Sequence, residues 1–354
     1  MRLKPYKQKK IRDNPNKPFI IPLFIPHLGC GHRCVFCNQH TITGVNNRTS
    51  AVDELRRRIA QFLSYRDPKR KPVQISFYGG NFMGLSRVLQ ETLLKEAHLF
   101  IREGRVDSIR LSTRPDTVTE DKLNLLKDFN VTTVELGVQS MNDQVLKLCQ
   151  RGHTAADTVR AVTLLKEAGF EVGLQIMPGL PDETESVSLE TGRRVAKLSP
   201  DFVRIYPTLV IKNSLLEDWY YEGLYKPLEL REAIEITKRL YLLFISLDIP
   251  VIRMGLQPTD ELWQKENVIA GPFHPAFGHL VHSAIFLDKA TRSIQREKGL
   301  PRSITLLVNP AHISRLRGHK NENIKRLKHT FNLEQIQVVA DPKVHKGDVE
   351  VIIP

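Results

Sequence analysis

Short apolar runs alternate with longer amphipathic stretches along most of the chain. Pro18–Ile25 is almost wholly apolar and reads as a buried strand. Val73–Phe77 alternates and ends in Tyr78-Gly79-Gly80-Asn81-Phe82. Asp107–Ser112, Val131–Leu136, Phe170–Met177, Phe202–Tyr206 and Pro250–Met254 read as further strands. Between them, helical spacing covers Val52–Tyr65, Ser86–Glu103, Thr119–Phe129, Ala155–Ala168, Glu183–Leu198 and Leu228–Leu247, with a short helix over Asn142–Cys149. Ser50 can cap the first helix, Asp53 and Glu54 suit its positive end, and Lys69-Arg-Lys-Pro72 breaks it. Strands alternating with helices imply a parallel sheet with right-handed crossovers. The count is too small for a complete eightfold barrel of about 250 residues. The expected class is therefore α/β, a partial (β/α) barrel of about six strand–helix units.

The pattern changes near residue 256. Leu256–His279 is rich in Gly, Pro and His and reads as one long ordered loop. A helix over Leu280–Lys298, a strand Ile304–Val308, helices Ala311–Leu316 and Glu322–Phe331, and strands near Gln335–Ala340 and Val349–Ile353 follow. Residues 1–17 lack apolar periodicity. The expected organisation is a flexible basic arm (1–17), the barrel (18–255), a connecting loop (256–280) and a small basic α+β domain (281–354).

Charge sharpens this division. The 354-residue chain carries +13, of which residues 1–18 and 280–354 contribute +6 each and the long middle only +1. Basic ends flanking a neutral body are either solvated surfaces or a footprint for a polyanion. No apolar run approaches the roughly 20 residues of a membrane span. The basic N-terminus lacks the apolar core of a signal peptide. A reducing cytoplasm is the expected setting, where four cysteines are metal ligands or reactive thiols rather than disulfides.

Three of those cysteines, Cys30, Cys34 and Cys37, lie at C-x3-C-x2-C spacing on a loop just past the first strand. In α/β folds, chemistry is carried at such strand ends. Clustered thiolates suit a soft metal or an iron–sulfur cluster. Structural zinc would need a fourth ligand, for which His27, His32 and His40 are candidates. Three thiolates on a cluster would instead leave one iron open.

The pattern formed by Cys30, Cys34, Phe36 and Cys37, C-x3-C-x-aromatic-C, resembles the radical SAM superfamily. The resemblance implies a 4Fe-4S cluster on the three cysteines, with the open iron chelated by S-adenosylmethionine (SAM). It also implies reductive cleavage to a 5′-deoxyadenosyl radical that abstracts hydrogen, and an electron donor such as a flavodoxin or ferredoxin. Tyr78-Gly-Gly-Asn81 resembles the Gly-Gly-Glu motif that receives the methionyl amino group, with Gly79 and Gly80 permitting close backbone approach and Asn81 departing from the usual acid. Glu135-Leu-Gly-Val-Gln-Ser140, Arg151-Gly-His153 and Gln175–Pro181 are similar to segments of the oxygen-independent coproporphyrinogen oxidases and the Elongator catalytic subunit. By that resemblance Arg151 faces the SAM carboxylate, Gln139 and Gln175 lie near the ribose, and Phe36 belongs to the cofactor site. Phe19–Cys37, Cys149–Thr154 and Val203–Ile211 extend the likeness to Elongator over about residues 18–260, which implies tRNA wobble-uridine modification. About 75 residues follow position 280, too few for that family's acetyltransferase domain, so none is expected.

Ile313–Leu327 resembles the KH motif, helix–Gly-x-x-Gly–helix, whose loop clamps nucleic-acid backbone. Asn321 replaces the second glycine and is a residue type that tolerates positive φ. Arg317, Gly318, His319, Lys320, Asn321 and Lys325 are the expected RNA contacts. A plain basic domain or a protein-docking module is the blander reading. Cys149 is expected to be an unligated helix residue, and His274, His279 and His282 loop or capping residues. Together these features point to a radical SAM enzyme acting on RNA, foremost tRNA. The rivals are a radical SAM enzyme with a small porphyrin-like substrate and a non-catalytic RNA-binding iron–sulfur protein.

Overall fold

The computed structural model describes residues 18–25, 27–43, 50–66, 72–256, 266–297, 299 and 301–353. The described residues divide into two compact units, 18–233 with 243–273, and 234–242 with 274–353. The basic arm of residues 1–17 lies outside the described residues, as do Gly44, Asn46, Asn47, Lys69, Arg70 and Lys71.

In the larger unit, β1 (Phe19–Ile25), β2 (Val73–Gly79), β3 (Ser108–Thr113), β4 (Val131–Gln139), β5 (Glu171–Ile176) and β6 (Phe202–Ile205) line up in sequence order. A two-residue strand, β7 (Val210–Ile211), leaves the sheet, and β8 (Val251–Met254) then adds beside β6. All seven strands of the sheet are parallel, with β1 and β8 as unpaired edges, so the partial barrel expected from the alternation is present.

The two faces of this sheet differ in chemistry. Residues paired across parallel strands share a face. One face carries Phe24 beside Tyr78, Ser112 beside Glu135, and a row running from Gly137 through Gln175 and Arg204 to Arg253. The alternate positions Leu23, Phe77, Leu111, Val134, Leu174 and Val203 are all at most 1% exposed. Burying each such side chain contributes about 1.5–3 kcal/mol. Helix α1 (Gln39–Thr43) lies within the cysteine loop, and α2 (Ala51–Ser64) packs on β1 and on α3 (Arg87–Arg102). The Ser50 hydroxyl caps α2 by accepting from Asp53 N at 3.2 Å. The remaining crossovers are α4 (Glu120–Asp128), α5 (Asp143–Leu148), α6 (Ala155–Glu167) and α7 (Glu185–Lys197). Thr154 and Asp157 form a reciprocal capping box at the start of α6.

Three features depart from the sequence expectation. After β7 comes α8 (Leu215–Tyr221), ahead of the long α9 (Leu230–Ser246). Within the supposed loop Leu256–His279, β9 (Val268–Ala270) pairs antiparallel with β7, and residues 257–265 lie outside the described residues. Strands of two or three residues show no periodicity, so the pattern could not reveal them. The next helix, α10 (Phe277–Gln295), starts three residues earlier than expected because Phe277, only 3% exposed, already anchors it in the core. His279 and His282 are therefore helix residues rather than loop residues.

In the smaller unit, β10 (Ser303–Val308) lies between a parallel neighbour, β11 (Gln335–Ala340), and an antiparallel one, β12 (Val349–Ile352). The crossover from β10 to β11 consists of α11 (Ile313–Arg317) and α12 (Glu322–Phe331). Phe286, Ile294, Leu306, Val308, Leu316 and Leu327 form its core.

Candidate active site

The cysteine loop is locked to the strand ends by one buried asparagine. Asn81, 1% exposed, follows β2; its Nδ2 donates to Gly29 O at 2.9 Å. Its Oδ1 accepts from Thr113 Oγ1 (2.6 Å), Thr117 Oγ1 (2.9 Å) and Arg114 N (3.1 Å). Gly29 sits at φ 74°, and a Cβ there would fall 2.1 Å from Asn81 O. Gly80 likewise admits Leu28 O and Ile25 O to 2.3 and 2.5 Å of where its Cβ would be. The close approach at Gly80 is thus made by the protein's own backbone, and the Gly79 carbonyl accepts from Gln39 Nε2 at 2.8 Å. A carboxylate in place of Asn81 would have no donor for Gly29 O. The departure from the usual acid therefore has a structural reason.

Cys34 is buried, while Cys30 and Cys37 are half-buried. The Arg151 guanidinium bridges Cys34 Sγ (3.2 Å) and Gly137 O (2.7 Å). Burial pushes the Cys30 and Cys37 thiols up, and the neighbouring cysteines add to this. Arg151 opposes the rise at both, and Arg114 opposes it at Cys30. Thiolates are what ligate metals, and these two cations favour them. Among the described residues, no three His, Cys, Asp or Glu side chains are spaced to hold one metal ion. Structural zinc needs four ligands on one ion, whereas a cluster distributes three thiolates over separate irons. Buried polar atoms around the loop are also unpartnered: Arg151 Nε, Arg114 Nη1 and both ring nitrogens of His153. Burial, with Arg151 and Arg114 nearby, pushes His153 down to about 3, so its ring is neutral. This donor set fits a cluster and a polar ligand beside it.

A cavity of about 600 Å³ opens beside the loop, lined among others by Cys30, His32, Arg33, Asn38 and His40. Gly152, at φ 68°, makes room for the His32 ring; a Cβ there would lie 2.4 Å from it. Phe36 packs on the other side, in an apolar cluster with Val145, Cys149, Leu180 and Leu216. Cys149 is thus a buried core residue of this cluster.

Gln139 ends β4 at φ 66°, where the register with β5 shifts, and its Oε1 accepts from Gln175 Nε2 at 3.2 Å. The two glutamines are therefore brought together. Sequence reasoning missed a charged network beside them. Glu135 accepts from Arg204 Nη2 (3.1 Å) and Arg110 Nη1 (3.2 Å), and Arg204 donates to the hydroxyls of Tyr78 (3.2 Å) and Tyr206 (3.0 Å). Burial works against the Arg204 charge, but Glu135 and the two phenols override it and hold its pKa above the ordinary value. The only hint in the sequence was the presence of polar residues at alternate positions within otherwise apolar strands.

Behind the loop, Glu183 accepts from Ser188 Oγ (2.9 Å), Ser140 Oγ (3.0 Å) and Gly179 N (3.0 Å). Burial nonetheless pushes its carboxyl up to about 7.

In the smaller unit, Gly318 (φ 73°), Lys320 (φ 50°) and Asn321 (φ 60°) form the turn between α11 and α12. Asn321 does adopt the left-handed conformation the turn requires. Asn323, 5% exposed, donates through Nδ2 to Ser283 O, Arg315 O and Leu316 O at 2.9–3.2 Å, tying three helices together. His319 lies edge-on to His274, 5.6 Å between ring centroids.

The parallel half-barrel with three cysteines after its first strand defines a class. Residues 24–192 match the radical SAM superfamily, and residues 200–286 match the radical SAM C-terminal domain. The chain belongs to the radical SAM superfamily. Among its relatives, an uncharacterized protein of Methanocaldococcus jannaschii is 30% identical over 242 residues, covering 66% of this chain and 73% of that protein. The tRNA uridine(34) acetyltransferase of Methanocaldococcus infernus is 39% identical over 139 residues, 37% of this chain and 25% of the enzyme. The matched part thus spans only a quarter of that enzyme's length. Elongator complex protein 3 of yeast and human is also similar. The solved Elp3 of Methanocaldococcus infernus shares the fold, with a TM-score of 0.61 at 23% identity over 76% of this chain and 63% of that one. Among the described residues, no helix is long and apolar enough to cross a membrane.

Proposed function

We propose that this chain is a radical SAM enzyme that holds a 4Fe-4S cluster on Cys30, Cys34 and Cys37 and modifies tRNA. The observation that carries the reading is the Asn81-locked cysteine loop, with Arg151 on Cys34 Sγ and unpartnered buried donors around it. When bound, cluster and SAM supply a one-electron reductive cleavage that leads to hydrogen abstraction. The chain's own residues do the rest. Arg114 and Arg151 favour the ligating thiolates, and the neutral His153 ring offers a buried donor and acceptor. Gln139 and Gln175 present paired amides to a bound ribose, while Phe36 closes the loop from behind. A low-potential protein such as a flavodoxin or ferredoxin supplies the electron.

The choice of RNA rests on the curated relatives' named activity and on the basic segment 281–354, which acts as a KH-like unit. Arg317, Gly318, His319, Lys320, Asn321 and Lys325 take RNA backbone there. The test is mass spectrometry of tRNA nucleosides from cells with and without the gene. One modified nucleoside should disappear and its precursor accumulate; identical profiles would reject the tRNA reading.

A further inference from the structure

On the polar face of the larger sheet, arginines outnumber the carboxylates that could neutralise them. Arg110 and Arg204 share Glu135, Arg110 also reaches Glu171 at 3.7 Å, and Arg114 has Asp116 at 3.0 Å. Among the described residues, Arg253 has no such partner. It lies on β8, directly beside Arg204 in the strand register, so both side chains leave the sheet on the same face. Its Nε donates to Gly255 O at 3.3 Å, and no carboxylate among the described residues pairs with it. Arg204 repels its charge and Tyr206 favours it. A partly buried cation with a like-charged neighbour and no counter-ion is costly unless a ligand supplies the anion.

Tyr206 supplies a second donor. Its hydroxyl oxygen is occupied by Arg204 Nη1 at 3.0 Å, which leaves the phenolic hydrogen free for another acceptor. β8 is also the last strand of the sheet, with no strand neighbour on its outer side among the described residues.

We propose that Arg253 and Tyr206 form an anion subsite at the open edge of the sheet, which takes a phosphodiester of the RNA substrate. This rests on the RNA reading above. Arginine's planar fork suits phosphate, and one phosphate would meet both donors. The SAM carboxylate offers the same chemistry, so the test separates the two sources.

Full-length, cluster-reconstituted wild type, R253Q and R253K are compared for tRNA binding between about 50 and 200 mM salt, and separately for SAM binding. Loss of one phosphate contact flattens the log–log salt slope by about 0.7–0.9, so R253Q should lose about threefold less affinity over that range than wild type. R253K, which keeps the charge, should retain the wild-type slope. A misfolded variant is recognised by loss of cluster absorbance, and in that case R253K decides: a wild-type slope supports the subsite and a flattened slope overturns it. Equal slopes for wild type and R253Q overturn the subsite but leave the RNA reading standing. Loss of SAM affinity with an unchanged tRNA slope assigns the anion to SAM and also overturns it. Salt-independent tRNA binding by wild type overturns both.

Discussion

The two units use charge in opposite ways. The larger one buries it: Arg110, Glu135 and Arg204 form a network on the sheet face, with Arg110 and Glu135 at most 6% exposed in their side chains. The smaller one also keeps charge at the surface around an apolar core, as in the Arg302–Glu334 pair at 2.5 Å, whose side chains are 81% and 64% exposed. A buried ion pair contributes little net stability but fixes side chains in place, because removing one partner strands the other. A surface pair contributes little and fixes little. The larger unit therefore holds charged side chains fixed on its sheet face, and the smaller one leaves its charges at the surface.

The same contrast runs through their two loop-holding asparagines. Each packs against a glycine at positive φ, Gly29 and Gly318. Asn81 accepts three hydrogen bonds and donates one, joining strand ends to the cysteine loop. Asn323 donates three, joining helices.

The comparison can be broken by mutation. Glu135→Ala strands the buried Arg204 guanidinium and leaves Arg110 only Glu171 at 3.7 Å, and should cost about 3–5 kcal/mol in denaturant unfolding of the larger unit. A cost below about 1 kcal/mol would show that the network is hydrated and not a fixed element. Next in size is the pH effect of Glu183. Its native pKa is raised from 4.5 to about 7. The folded state therefore holds the proton more tightly, and stability is fully present below about 4.5 and falls as pH rises through about 7, by up to about 3 kcal/mol. Unfolding midpoints of wild type and Glu183→Gln measured at pH 5 and pH 8 should differ in this slope, with the variant flat. The smallest effect is Glu334→Ala, expected to shift stability by less than about 1 kcal/mol. A larger loss would mean that the smaller unit also relies on its ion pairs.

Much of this was legible in the sequence, and the limits are physical. The strands of the sheet carried local patterns, and the three cysteines declared themselves by spacing. The Glu135–Arg204 pair joins residues 69 positions apart, and only the strand register brings them together. Asn81 read as a departure from a motif, because its role depends on Gly29, Thr113 and Thr117 meeting at one point. Arg253 looked like an ordinary strand residue until its neighbour proved to be another arginine.

The most direct test of the central claim is anaerobic incubation of the reconstituted protein with dithionite and SAM. Release of 5′-deoxyadenosine by wild type, lost together with cluster absorbance in Cys34→Ala, is the predicted result. An intact cluster without release, or release that survives Cys34→Ala, would contradict it.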